Sequence, residues 1–565
     1  MFNTAQERLL SKIVAFGAAF TTIFIISGSV TDPVNVPKLV SLGVTSFAAL
    51  GVLSINSLLP KLREFFLVSV TLAIFIFAAI SSAAMSDSPL SQNLYGVFGR
   101  NNGLIAYIFL AVMLLASLSL RTRESFTRII KALIFAGLVN VVYCLWVISF
   151  GDFVGWNNPY GNILGTLGNP NFIGSFLGIF IAAYVGYSLD PSSPKWFKYS
   201  VFVVVPITAF EIIESNAIQG RIVGAIGLGI IGFFYVKSRY NQFVTSIYVL
   251  VGFTGGAFSL LGALQIGPLT SYIYKTSVSL RGQYWLAGWN TGEANPFFGA
   301  GMDAFGDWYR RSRDIRAIEL PGVNTIVDAA HNVPIDMFAF GGWPLFLSYI
   351  FLMGLGGWAI FRAALRVKQF DPILAVLSAT WVGYQLQSII SINQIGLAIW
   401  GWVLTGAVIA YERTTRENLS SASDERVKLR GKAENRNQEA KPILLTFGFA
   451  LVGLVISLPP LTSDAQWRSA QMAQTVEALQ ATLKPGYFNP PNSAKYMGNI
   501  QALEQAQLFD LAHTYAIQAV KWNPESFELW KLLFLVKSAT QEERDLALVN
   551  MKRLDPLNPD TTSLE

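Results

Sequence analysis

Apolar runs of about 18 residues or more recur along this chain, and each is long enough to cross about 30 Å of hydrocarbon as a helix. They fall near 11–30, 39–59, 65–85, 103–120, 129–150, 172–189, 199–213, 217–236, 245–267, 337–361, 372–390, 395–411 and 443–460. In lipid a spanning segment must satisfy its own backbone polar groups, so such runs have little choice but to be helical. Composition agrees: 52% of residues are hydrophobic and 13% charged, with mean hydropathy +0.45. A soluble chain would carry about a quarter charged residues. The expected class is all-α, a polytopic integral membrane protein with about 13 transmembrane helices.

The runs divide the chain into a membrane domain (1–411) with one large loop (268–336), a charged linker (412–442), a last span (443–460) and a tail (461–565). Only Arg8 and Lys12 precede the first apolar run, and no small-residue cleavage site follows it, so it reads as a retained helix rather than a signal peptide. The single cysteine, Cys144, falls inside the fifth run, which leaves no intrachain disulfide and no cysteine-ligated metal.

Charge assigns sides to the loops. With a cytoplasmic N-terminus, the inner loops hold Lys61 and Arg63, then Arg121, Arg123, Arg128 and Lys131, then Lys195 and Lys198, then Lys237 and Arg239, then Arg362, Arg366 and Lys368. The linker adds eight basic residues, whereas the short outer loops offer only Lys38, Arg100 and Arg221. That bias fixes orientation by the positive-inside rule. The large loop then lies outside, and so do the polar stretches 31–38, 95–103, 165–172, 214–221 and 391–394.

Several outer residues have chemistry to offer. An arginine at the bilayer centre costs about 2.5–3.5 kcal/mol, so Arg100 and Arg221 either snorkel to the interface or bind an anion. Their occurrence together on the side poor in basic residues favours the anion. Arg281, Trp285 and Trp289 recur every four residues, which on a helix makes one face about 80° wide. Guanidinium forks phosphate oxygens while aromatic rings stack on sugars, although an interfacial tryptophan belt has the same pattern. His331 is one of two histidines in the chain. It stands between Asp328 and Asp336, and a neighbouring carboxylate would fix its tautomer and tune it near neutrality as a general base. The other, His513, reads as a surface residue of the tail. There is no P-loop, no GxGxxG after a strand and no acidic–histidine spacing suited to a metal. No cofactor, no metal and no nucleic-acid partner are expected. The basic stretch "RRSRDIR" (310–316) reads as a solvated, partly salt-bridged face, or as a contact for lipid headgroups or a polyanion.

Taken together, "YGVFGRNNG", "GTLGNPNFIGSFLG", the Arg281 segment with its following P-x-x-G-x-G, and "AHN" followed by "FGGWPLF" resemble the O-antigen ligase and polymerase superfamily. The resemblance covers roughly residues 90 to 410. It implies a metal-independent glycosyltransferase that moves a glycan from an undecaprenyl-diphosphate carrier to an envelope acceptor, at the outer side of the cytoplasmic membrane. It further implies Arg221, Arg281 and His331 as the catalytic set, with Arg100, Asn169, Asn171, Trp285, Trp289 and Asn332 in support. One departure is that Gln219-Gly220-Arg221 stands where the family often has Ser-Arg-Gly.

The tail reads as helices over 465–483, 495–522, 526–538 and 541–554. Asn523-Pro524 and Asp555-Pro556 lie 32 residues apart, near the tetratricopeptide period. A helical cap docked on the enzyme and a module recruiting an acceptor or partner are equally open. The rival functions are a surface polysaccharide polymerase, a ligase acting on protein, a secondary transporter with paired broken helices, and a non-catalytic envelope scaffold. The orientation is checked with alkaline phosphatase fusions, which are active only outside the cytoplasm. A fusion at 320 is expected to be active and one at 240 silent; the reverse pattern would overturn the assignment of sides.

Overall fold

The computed structural model describes residues 4–55, 58–156, 158–274, 276–421 and 440–562, and among them the chain is helical with no β-strand. Most of the charged linker, 422–439, lies outside the described residues. Each apolar run falls on a helix. Eleven helices among the described residues, from Asn35–Ile55 to Ile443–Ala473, are long and apolar enough to cross a membrane. Two others are not: Thr4–Ile23 opens with Glu7, Arg8 and Lys12, and Leu104–Leu118, with 15 residues, reaches only about 22 Å.

The first helix corrects the expected run of 11–30, because it ends at Ile23. The ammonium of Lys38 donates to the carbonyls of Thr22 (2.7 Å) and Phe24 (2.9 Å), which a helix end leaves unpaired. Lys38 is fully buried, so it is an internal cap rather than a loop charge. Elsewhere helices start where Asn or Asp meets Pro. Asn169 accepts from the Asn171 amide (2.9 Å) ahead of Pro170, and Asp371 from Ile373 (3.0 Å) ahead of Pro372. The acceptor side chain satisfies an orphan amide, while proline at the first position has no amide to satisfy.

Glycines set a close helix contact. A Cβ on Gly220 would lie 2.5 Å from the Gly174 carbonyl oxygen, and one on Gly178 2.6 Å from that of Gly220. Small residues let the helices Pro170–Ser188 and Ile218–Arg239 approach backbone to backbone, which is how helices associate where lipid removes the hydrophobic drive. The Gln-Gly-Arg order therefore places its glycine in this contact. At the periphery, Gln242–Ala263 has none of its most apolar stretch buried.

Alternate connections gather on two opposite faces. On one, Glu7 accepts from the Arg121 and Thr122 amides (2.9 and 2.8 Å), Glu64 pairs with Arg121 and Arg413, and Glu412 with Arg366 (2.9 Å) and Arg416 (2.6 Å). Part of the basic charge expected simply to set topology is thus held by two glutamates, Glu64 and Glu412, while Glu7 is satisfied by backbone amides. The other face carries the large loop and the tail.

The longest described helix of the large-loop region, Val333–Arg366, is broken. Gly341 and Gly342 leave helical geometry, Gly342 with φ +61°. The loop 296–301 fills the break: Trp343 N donates to Pro296 O (2.8 Å), Ala300 N to Ala339 O (2.8 Å) and Gly301 N to Phe340 O (3.2 Å). The Ser82 hydroxyl also donates to Phe340 O (2.6 Å). The motifs "PFFGAG" and "FGGWP" are therefore two halves of one junction. A Cβ on Gly299 would come within 2.1 Å of Phe340 O, and one on Gly342 within 2.3 Å of Pro296 O. Gly299→Ala and Gly342→Ala are each expected to cost on the order of 2 kcal/mol or more. Gly354→Ala, in the same helix with open space around it, is expected to leave the thermal midpoint in detergent unchanged or higher. Equal midpoints for all three variants would mean that the junction does not hold the fold.

Candidate functional site

The site begins at a loop folded around a carboxylate. In "YGVFGRNNG", Gly96 (φ +82°) and Asn101 (φ +57°) turn the chain back on itself. The enclosed acceptor is Asp303, whose Oδ2 takes the amides of Val97 (2.9 Å) and Asn102 (3.4 Å). A Cβ on Gly96 would fall 2.5 Å from that oxygen, so only glycine fits. The loop presents Arg100, which pairs with Asp328. Beside it, the Asn102 side-chain amide donates to the Asn393 backbone carbonyl, and the Asn393 side chain donates to Tyr107 (3.0 Å), which ties in the 391–394 connection.

His331 occupies a left-handed turn (φ +57°) immediately before the broken helix. Asp336 accepts from the Ala330 amide (2.7 Å), and Asn332 caps the helix by accepting from Ile335 N (3.0 Å). The Nδ1 of His331 lies 3.0 Å from the Ala329 carbonyl. A carbonyl can only accept, so this contact assigns the proton to Nδ1 and the lone pair to Nε2. The ring packs on Tyr284 (5.2 Å between centroids, 38° between planes), and Trp285 Nε1 lies 3.4 Å from the His331 carbonyl. The expectation that a carboxylate fixes the tautomer is corrected: Asp328 is engaged by Arg100, Asp336 by a backbone amide.

Electrostatics corrects the expected pKa as well. Burial first, then the charges of Arg100 and Arg281, bring His331 down to about 4. It is neutral at pH 7, with Nε2 able to accept a proton but weakly basic. Burial pushes the Asp303 carboxyl up to about 7, against the two amides and Arg100 that favour its anion. Burial works the same way on Asp328, yet the Arg100 guanidinium holds its carboxyl below the usual range.

His331, Arg281, Trp285, Asn332 and Arg100 thus belong to one neighbourhood. Arg221, Asn169 and Asn171 form another. Arg221 is exposed at the start of Ile218–Arg239 and is joined to the His331 group by no hydrogen bond or ion pair among the described residues. Asn169 caps its helix and donates to Tyr160 (3.2 Å), while the Asn171 carbonyl accepts from Gln219. The stripe of Arg281, Trp285 and Trp289 also divides. Trp289 packs within an aromatic cluster against Phe338 (4.8 Å) and Trp343 (5.8 Å), and its indole N–H donates to Glu293 (2.8 Å). Among the described residues no group of three or more His, Cys, Asp or Glu is arranged to hold a metal ion.

Two members of the group carried no signal that sequence reading weighed. Tyr284 adjoins the more conspicuous Trp285. Asp303 follows the P-x-x-G-x-G segment and gains its meaning only through a loop some 200 positions earlier. The stretch "RRSRDIR" is a partial correction: it is salt-bridged, and Arg316, paired with Asp314, is exposed, but Arg310, Arg311 and Arg313 are turned into the protein. Arg313 makes two bonds to Asp555 (2.8 and 3.0 Å), Arg310 bonds Asp555 (3.1 Å) and Glu528 (2.6 Å), and Arg311 pairs with Glu525. His513 is half-buried and bonded to Glu543 (2.7 Å) rather than free on the surface.

A multi-pass helical bundle with a histidine, arginine and carboxylate group at one face is a membrane protein equipped for polar chemistry beside the bilayer. Residues 202–350 match the family model described as O-antigen ligase, a stretch that contains Arg221, Arg281 and His331. That stretch is similar to the O-antigen ligase family, and it lies in a chain whose eleven spanning-length apolar helices among the described residues make it a multi-pass membrane protein. No curated protein matches the chain at a significant level.

Because Trp289 is half-buried and packed against other rings, Trp289→Ala is expected to cost about 1–3 kcal/mol of stability. It should leave the substrate KM of the surviving folded protein unchanged. A raised KM at unaltered thermal stability would return Trp289 to the binding surface.

Proposed function

We propose that this protein transfers a glycan from a polyprenyl-diphosphate carrier to an envelope acceptor, with His331, Arg281 and Arg100 at the reacting centre. The observation that carries this reading is His331 itself: neutral, Nε2 unprotonated, half-buried, and within the fields of two arginines. The bias of basic residues toward the opposite face supports placing this one outside the cytoplasmic membrane.

In the proposed reaction the acceptor hydroxyl oxygen bonds to the anomeric carbon as the bond from that carbon to the phosphate oxygen breaks. The diphosphate leaves with the electron pair, and the hydroxyl proton passes to His331 Nε2. Arg281 stabilises the negative charge that grows on the leaving group, which counts for most where water is excluded. Arg100 already has a counterion in Asp328 and acts chiefly through its field on His331. Arg221, with Asn169 and Asn171, forms a second polar group on the same face, suited to the glycan or to the distal phosphate.

The weak basicity of His331 has a purpose in this scheme. Without substrate, burial and then the two cations hold the imidazole neutral. An arriving diphosphate offsets their charge, and a nearby anion favours the protonated form, so the donor raises the basicity of the histidine as it binds. The histidine becomes a competent base only in the loaded site.

The reading is tested with purified full-length protein, lipid-diphosphate glycan and acceptor-containing membranes, following release of the polyprenyl diphosphate. Release that depends on acceptor, and is lost by two to four orders of magnitude in His331→Ala, is expected. Wild type without release, or His331→Ala equal to wild type, would refute it. The pH profile adds a signed check. The active form of the free enzyme is neutral His331, present above its lowered pKa, so on the acid side kcat/KM is set by a group titrating near about 4. Arg100→Gln should move that limb upward, toward 6.5; a limb already near 6.5 in wild type and unmoved in Arg100→Gln would show that the arginine field does not act as described.

A further inference from the structure

The sequence left two roles open for the tail: a docked cap, or a module that recruits partners. The contacts favour the first. Asp555 caps the end of Gln541–Leu554, and Asn523 caps Phe509–Trp522. These are the two corners that sequence reading paired through their prolines, and both face the same short helix, Phe305–Ser312. Asn523 donates to Asp307 (3.1 Å). Asp555 and Arg313 are fully buried side chains. The Arg310 guanidinium also lies over the Phe527 ring at 4.4 Å. Breaking such a buried pair leaves uncompensated charge, so the tail is held firmly.

The other side of this helix leads to His331 by three routes. Tyr309 is fully buried and packs edge-on to Tyr284 (6.0 Å between centroids), whose ring lies against His331. Arg310 and Arg313, the same guanidiniums that hold Asp555, each donate to the Val323 carbonyl (3.0 and 2.9 Å), at the head of the segment that ends in Asp328 and His331. Gly306 sits so close to Asp328 that a Cβ would lie 3.2 Å from its Cα. The helix is therefore a strut with the tail on one side and the candidate site on the other.

We propose that the tail is a positioning element for the reacting centre: Asp555, acting through Arg310, Arg313 and the Phe305–Ser312 helix, sets where Tyr284 and His331 stand. Asp555 touches no reacting atom and is a positioning residue. The proposal rests on His331 being the reactive group, but its structural half can be measured without any turnover.

The test uses the full chain and compares wild type, Asp555→Asn and Asp555→Glu by amide hydrogen exchange and by steady-state transfer. In Asp555→Asn, exchange is expected to accelerate in 305–312 and also in 323–332. The kcat should fall about tenfold to a hundredfold, as a displacement near 1 Å at a reacting group does, with KM for the lipid-linked donor held within about twofold. Asp555→Glu should recover most of both signals, which a general loss of stability would not allow. If the tail's own amides accelerate while 323–332 and kcat stay at wild-type values, the tail is only a docked cap and the proposal fails. If wild type transfers nothing, the glycosyl-transfer reading fails, and exchange at 323–332 still decides whether the tail positions that segment. Should Asp555→Asn not fold, Glu525→Gln, which loosens the less buried pairing with Arg311, takes its place under the same criteria.

Discussion

An interrupted helix in a bilayer has no water to satisfy its exposed backbone, so the break at Gly341–Gly342 must be answered from within the protein. The segment 296–301 answers it with three backbone hydrogen bonds, and much of the polar face follows from that constraint. Once the segment is seated, the next residues are committed. Met302 N donates to Asn93 (2.7 Å), and Asp303 becomes the acceptor around which the Arg100 loop closes. The broken helix delivers His331 from its own N-terminus, two turns before the break. Arginine and histidine reach one neighbourhood because a loop and a helix, far apart in sequence, repair each other's backbone.

The electrostatic character of the neighbourhood then follows from burial and from counting charges. Arg100 is neutralised by Asp328, while Arg281 contributes its charge to a histidine with no carboxylate partner. The histidine stays neutral, and its tautomer is fixed by a carbonyl that cannot itself change charge. A carboxylate at Nδ1 would have favoured imidazolium in the resting protein. The arrangement keeps the proton-accepting nitrogen vacant until an anion arrives, which suits a reaction whose leaving group is an anion.

The sequence reads well where a local rule operates. Apolar runs of spanning length depend on near neighbours, and each fell on a helix. It reads poorly where meaning depends on a distant partner. Lys38 looked like an outer-loop charge and is a buried helix cap, because the carbonyls it meets belong to another helix. The run of arginines at 310–316 looked solvated because its counterions, Glu525, Glu528 and Asp555, stand more than 200 residues away. Trp289 and Arg281 share a helical stripe, yet a stripe specifies direction and not what lies opposite, and aromatic rings lie opposite Trp289. Tyr284 and Asp303 had no local signature at all.

The chain's economy in histidine makes the central claim directly measurable. With His513 replaced by Gln, the one remaining imidazole is His331, and nitrogen-15 NMR of histidine-labelled protein in detergent reports both its tautomer and its titration. The account predicts a neutral, Nδ1-protonated ring at pH 7 that titrates near about 4, with the pKa rising when polyprenyl diphosphate is added. A ring that titrates near the ordinary 6.5 and ignores the lipid diphosphate would contradict it, and would remove His331 from the reacting centre.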